Sequence, residues 1–233
     1  MSTNSLYILA VAPDYLNKPE NYRLKGPGVD VRYLENLFYR LGWVRFTSLY
    51  GESVTTENVL HGTKEVLSKC TKGDVFCIYL AGHGESSSTG YEFVTQSGPF
   101  LNHRLLLDTI SDYCPQGVYV LQIRDTCASS PRPEEIREIL SIRPRLYMSV
   151  LAACDVGEQA WERGHILPRS DFLRNMVDAM NHLPEEADKC STLKSFWRRQ
   201  VVTDMLDQVL HPMGSGDRRQ TPRLEPREDK VEV

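Results

Sequence analysis

Val75-Phe76-Cys77-Ile78-Tyr79-Leu80-Ala81-Gly82-His83-Gly84 is the stretch that decides the fold. It opens as an unbroken apolar run of strand length, the pattern of a strand buried on both faces, and it ends in a histidine between two glycines. A second stretch, Val118-Tyr119-Val120-Leu121-Gln122-Ile123, has the same character and leads through Arg124-Asp125-Thr126 to Cys127. Carried off the same end of neighbouring parallel strands, His83 and Cys127 face each other across the crevice where open parallel sheets keep their sites. A thiol beside an imidazole is a nucleophile beside its base.

Outward from this pair the chain alternates. Leu6–Val11 is expected as a strand, and Pro13 to Gly28 as a turn-rich loop. Asp30 then caps a helix running to about Leu41, with Val31, Leu34, Leu37 and Phe38 at helical spacing. Val44–Leu49 follows as a strand, and a helix opens at Thr55 or Thr56 and runs to about Lys69. Glu85 to Gly98 reads as a polar surface loop, Leu101–Tyr113 as a helix, Pro131–Pro144 as a charged segment with one short helix, and Leu146–Ala153 as a strand. Ser170–Leu183 and Leu193–Leu210 read as helices. The expected architecture is α/β, a three-layer αβα sandwich with a mainly parallel sheet. Residues 1–211 form one domain in this reading, and 212–233, poor in apolar anchors, a disordered tail.

Composition narrows the function classes. With 27 Lys and Arg against 31 Asp and Glu, the formal net charge is −4, so no broad positive field invites nucleic acid. No segment reaches the roughly 20 apolar residues of a membrane span. The six cysteines show no Cys-x-x-Cys pattern and suit neither a zinc site nor a disulfide framework, which points to a reducing cytoplasm. Oligomeric state is not legible in the sequence.

The chemistry is concentrated at the strand ends. Gly82 and Gly84 let backbone and substrate approach closely beside His83. The Gly84 and Cys127 N–H groups are the expected oxyanion-hole donors. Cys127 is expected as a thiol of lowered pKa, and His83 as general base and then general acid.

Gly28-Val29-Asp30-Val31, Tyr79 to Gly84, Asp125 to Ser130 and Leu151-Ala152-Ala153-Cys154-Asp155 together resemble the metacaspase branch of the caspase-like cysteine peptidases, over about residues 5–185. The resemblance implies a caspase-like fold, a His83/Cys127 dyad that hydrolyses peptide bonds of protein or peptide substrates, and no cofactor or metal in the chemistry. It implies cleavage after Arg or Lys, with Asp30 and Asp125 as the carboxylates that receive the basic side chain. A role in regulated cell death or protein quality control goes with such enzymes. The chain departs from the family pattern in three places. Ala128-Ser129-Ser130 stand after the nucleophile where His-Ser-Gly is usual, Ala81 replaces a small polar residue, and Pro27 replaces a Cys. The acids of a calcium site are also missing: the loop after His83 offers Glu85 and Glu92, and Asn102-His103 stand where paired acids are expected. The altered residues at 128–130 motivate the alternative of a weak or inactive caspase-like scaffold that binds a protein partner through the same crevice. Self-cleavage, as caspase relatives undergo after the nucleophile, would fall at Arg137 or Arg145, since Pro follows Arg132 and Arg143; a charged surface loop explains these arginines equally well.

Overall fold

The structure, a computed structural model, describes residues 5–39, 44–88, 90–142, 146–155, 157–160, 162–163, 169–181 and 221–225. The expected helix Leu193–Leu210, Arg143, Arg145 and most of the expected tail lie outside the described residues.

Five parallel strands form the centre of a six-stranded sheet: β1 (Leu6–Ala12), β2 (Val44–Tyr50), β3 (Val75–Ala81), β7 (Tyr119–Asp125) and β8 (Tyr147–Ala152). Three further short strands, β4 (Gly84–Ser87), β5 (Gly90–Phe93) and β6 (Leu101–Asn102), form a separate antiparallel sheet that follows His83 directly. A short antiparallel pair, β9 (Glu162–Arg163) and β10 (Arg169–Ser170), precedes the last described helix. The large sheet has the order β11-β8-β7-β3-β1-β2, where β11 (Arg223–Glu225) is the antiparallel edge strand beside β8.

Period-two alternation divides the strands between two cores. Ile8, Ala10, Cys77, Tyr79, Leu121 and Ile123 face α1 (Gly26–Tyr39) and α5 (Asp171–Asn181), which contribute Val31, Leu34, Phe172 and Met176. Leu9, Val11, Phe76, Ile78, Leu80 and Val120 face α2 (Thr56–Leu67), α3 (His103–Tyr113) and α4 (Pro133–Ser141). Helices thus cover both faces of a mainly parallel sheet, the three-layer arrangement expected from the sequence. Leu9, Val11, Ile78 and Leu80 are fully buried. Each such side chain contributes about 1.5–3 kcal/mol by leaving water. Among the described residues, no helix is long and apolar enough to cross a membrane.

The local ends follow familiar chemistry. The Thr55 hydroxyl accepts the Asn58 N–H at the start of α2, and the Asn102 side chain accepts the Arg104 N–H at the start of α3. Pro133 opens α4, where its missing N–H costs nothing.

Three expectations are corrected. Helix α1 begins at Gly26, so Asp30 is a buried residue inside the helix and not its cap. The reason is that Pro27 is compatible with a first helical turn, where a Gly-Pro-Gly run otherwise suggests a loop. The expected loop 85–98 holds β4 and β5, because Tyr91 and Phe93 alternate inward onto the core. The expected tail is ordered at 223–225: Leu224 packs against the α1/α5 core and pairs with Leu151, while the Arg223 guanidinium reaches Asp155 at 2.7 Å.

Candidate active site

Register brings the two candidate side chains together. Ala81 at the end of β3 pairs with Asp125 at the end of β7, and His83 and Cys127 each lie two residues beyond that pair. Both line one crevice with Leu24, Asp30, Asp125 and Ser170.

The imidazole is held from several sides. Its Nε2 lies 2.7 Å from the Tyr22 carbonyl oxygen. A carbonyl only accepts, so Nε2 carries the proton and Nδ1 is the basic nitrogen of the neutral ring. The rings of Tyr15 and Tyr22 flank it, with centroids 4.8 and 4.4 Å away. Burial lowers the His83 pKa below its ordinary 6.5, against smaller raising effects from the Tyr22 carbonyl and Glu85. The ring is therefore neutral and ready to accept a proton at neutral pH.

Cys127 differs from the expected low-pKa thiol. Burial pushes it above the ordinary 9.0 and the nearby Asp125 adds to this, while the Ala160 N–H opposes it by donating to the sulfur. The resting pair is thus a neutral thiol and a neutral imidazole.

Gly84 abuts the nucleophile loop. A Cβ placed there would lie 2.5 Å from the Cys127 carbonyl oxygen and from Thr126 Oγ1, so only glycine fits. Val94 N–H donates to His83 O at 3.0 Å, which makes 83/94 the hydrogen-bonded pair of the β4–β5 ladder and 84/93 the non-bonded one. The Gly84 N–H consequently points away from β5, as an oxyanion donor must.

Beside the dyad, two carboxylates meet at one serine. The Ser170 N–H donates to Asp30 at 3.1 and 3.4 Å, and the Ser170 hydroxyl donates to Asp125 Oδ1 at 2.7 Å. The Tyr79 hydroxyl donates to the other Asp125 oxygen at 2.7 Å. The same Ser170 oxygen accepts the Leu173 N–H and so caps α5. Alternation explains the meeting: Asp125 shares the α1/α5 face with Tyr79 and Ile123. Burial raises Asp125 to about 6, partly offset by the Ser170 and Tyr79 hydrogen bonds, with Asp171 adding to the rise. A guanidinium entering the crevice would meet both acids.

On the opposite face, Arg124 supports the nucleophile loop from below. It is fully buried, donates to Glu135 Oε2 at 3.1 Å and to the Ser129 carbonyl at 3.2 Å, and stacks on Tyr91 at 4.1 Å. The Tyr91 hydroxyl in turn bonds Thr126 Oγ1 at 2.9 Å. His103 Nδ1 lies 2.8 Å from Arg124 and 3.6 Å from Glu135. Burial and the Arg124 charge hold His103 down at about 2, so it is a neutral acceptor and Arg124–Glu135 is the ion pair.

The loop itself is strained and tied down. Ala128 has φ +47°, and its N–H donates to the Glu158 carbonyl. Ser129 Oγ accepts the Cys154 N–H, and the Glu158 carboxylate accepts both the N–H and the hydroxyl of Thr221.

All four side chains singled out from the sequence, His83, Cys127, Asp30 and Asp125, thus line the same crevice, and Gly84 stands against Cys127. Sequence reasoning missed Tyr15, Tyr22, Ser170 and the Arg124–Glu135 pair. Alternation along β7 could have flagged Arg124 as a charge on a buried face. The Tyr22 carbonyl has no side-chain signal at all. Among the described residues, no group of three or more His, Cys, Asp or Glu is placed to hold a metal ion.

The model of the caspase domain matches residues 14–225. No curated protein matches the chain. Among solved structures, a Geobacter sulfurreducens protein superposes with a TM-score of 0.64 at 14% identity, covering 94% of this chain and 92% of that one. Caspase-1 from Spodoptera frugiperda gives 0.64 at 13%, covering 95% and 87%, and the Drosophila initiator caspase Dronc gives 0.56 at 12%, covering 95% and 78%. Likeness at these identities is a likeness of fold.

Proposed function

This chain belongs to the caspase-domain family, and we propose that it is a cysteine endopeptidase of metacaspase type that cleaves protein or peptide substrates after arginine or lysine. In this reading His83 Nδ1 takes the Cys127 proton as the sulfur attacks the scissile carbonyl carbon. The oxyanion lies between the Gly84 and Cys127 N–H groups. His83 then returns the proton to the leaving amine, the C–N bond breaks, and an acyl-enzyme remains. Water hydrolyses the thioester with His83 again as base, regenerating the thiol. The Tyr22 carbonyl holds the imidazole in the required tautomer and stabilises its charged form.

Asp30 and Asp125, joined through Ser170, receive the basic side chain before the cleaved bond. An acidic side chain there would face two carboxylates. The observation that carries the proposal is the common crevice of His83, Cys127 and the two acids. The cytoplasm is the proposed location, since the spacing of the six cysteines in the sequence suits no disulfide framework.

The test is turnover of matched fluorogenic peptides ending in Arg, Lys or Asp, under reducing conditions. Arg and Lys peptides are expected to turn over, with Cys127→Ala lowering the rate by at least about 1000-fold. Turnover after Asp alone overturns the acidic-pocket reading. Absence of Cys127-dependent turnover favours a scaffold that uses the crevice to bind.

A further inference from the structure

Tyr15 lies in the turn after β1 with a backbone φ of +57°, a conformation that is costly for a bulky residue. It is held there by a buried hydrogen bond from its N–H to Gln96 Oε1 at 2.6 Å. The side chain is fully buried, and burial raises the phenol far above 10, so the hydroxyl stays a neutral donor and acceptor.

That hydroxyl occupies a place in the β4–β5 ladder. At the hydrogen-bonded pair His83/Val94, one of the two expected bonds is direct, from Val94 N–H to His83 O. The reciprocal bond is replaced by the Tyr15 hydroxyl, which accepts the His83 N–H at 2.9 Å and donates to Val94 O at 2.7 Å. One side of the ladder is thereby wedged open. Gly82 absorbs the turn at φ +153°, where an added Cβ would lie 2.7 Å from the same hydroxyl.

We propose that Tyr15 is a positioning residue for the peptidase reaction, its hydroxyl setting the pitch of the 82–84 backbone that aims the His83 imidazole at Cys127 and the Gly84 N–H into the crevice. The inference rests on the function proposed above. Without the hydroxyl, the His83 N–H and Val94 C=O bond each other directly, the ladder closes, and the imidazole and the oxyanion donor turn together. Because no polar group is then left unpaired, folding stability changes little while catalysis falls.

The experiment compares the full chain with its Tyr15→Phe variant by two independent readouts. In steady-state turnover of an Arg peptide, Tyr15→Phe is expected to lower kcat about 10-fold or more with KM within about 2-fold and little change in melting temperature. In nitrogen-15 NMR of the imidazoles, wild-type His83 is expected as the Nε2–H tautomer, and Tyr15→Phe is expected to move both its titration midpoint and its amide shift. A kcat within about 2-fold of wild type, or superimposable His83 titrations, overturns the proposal. A wild-type chain without turnover sinks the proposed function, and the NMR comparison alone then decides the Tyr15 assignment. If Tyr15→Phe does not fold, Gln96→Met releases the same turn from its other side. It is expected to lower kcat and shift the His83 titration in the same way, and unchanged values overturn the assignment.

Discussion

At the residue scale, the conflict between stability and function is clearest at Asp125. Burial raises its carboxyl to about 6, above the ordinary 3.8, so folding favours the protonated form. Its contribution to stability is fully present below pH 3.8 and is lost as pH rises through 6. Asp125→Asn is therefore expected to raise the melting temperature at pH 8, by no more than about 3 kcal/mol of stability, and to leave it nearly unchanged at pH 3.5. The same substitution should lower kcat/KM for Arg peptides by about 100-fold, because one carboxylate of the proposed basic-residue pocket is gone. Thermal melts at the two pH values, run beside peptide turnover, check both halves. A variant that is less stable at pH 8 would show that the ionised carboxylate is a structural asset. His83 and Cys127 were legible as residues because each follows an apolar strand, and glycines flank His83. Their protonation was not: the expected low-pKa thiol gives way to a neutral pair, since both side chains are partly buried and the negative Asp125 raises the thiol further.

At the scale of elements, α4 is fastened to the nucleophile loop by a charge. Glu135 on α4 meets fully buried Arg124 on β7, and Arg124 reaches onward to the Ser129 carbonyl. Replacing Glu135 leaves the Arg124 charge buried among neutral partners alone, at a cost of about 3–5 kcal/mol. Glu135→Gln is expected to show that loss in urea denaturation. The double variant Arg124→Met, Glu135→Leu should be less destabilised than Glu135→Gln, because no charge remains buried. A double variant as destabilised as Glu135→Gln, or more so, would mean that the uncompensated charge is not the source of the loss. The parallel strands were legible because continuous apolar runs have few other readings. The β4–β5 hairpin was not, since its polar residues face outward and only Tyr91 and Phe93 mark its buried face. The start of α1 was hidden by Gly26-Pro27-Gly28, a run that reads as a turn until a buried helix claims it.

At the scale of the whole molecule, three layers meet where β3 and β7 end. One face supplies Asp30 and Ser170, the other supplies the Arg124–Glu135 support, and the antiparallel hairpin supplies Gly84 and the wedged His83. The edge strand Arg223–Glu225 belongs to this design, because Thr221 and Arg223 hold Glu158 and Asp155, and the Glu158 carbonyl holds Ala128 beside the nucleophile. Such long-range contacts have no local sequence signature, which is why the strand was read as tail. In the proposed function, this architecture converges on one sulfur made reactive by one imidazole. The most direct measurement is mass spectrometry of the purified chain after exposure to a peptidyl-arginine fluoromethyl ketone. A single adduct on Cys127 is expected, slowed about 100-fold or more in His83→Ala and absent with the matching aspartate reagent. Equal labelling of Cys127 in wild type and His83→Ala, or an adduct on another cysteine, would contradict the account.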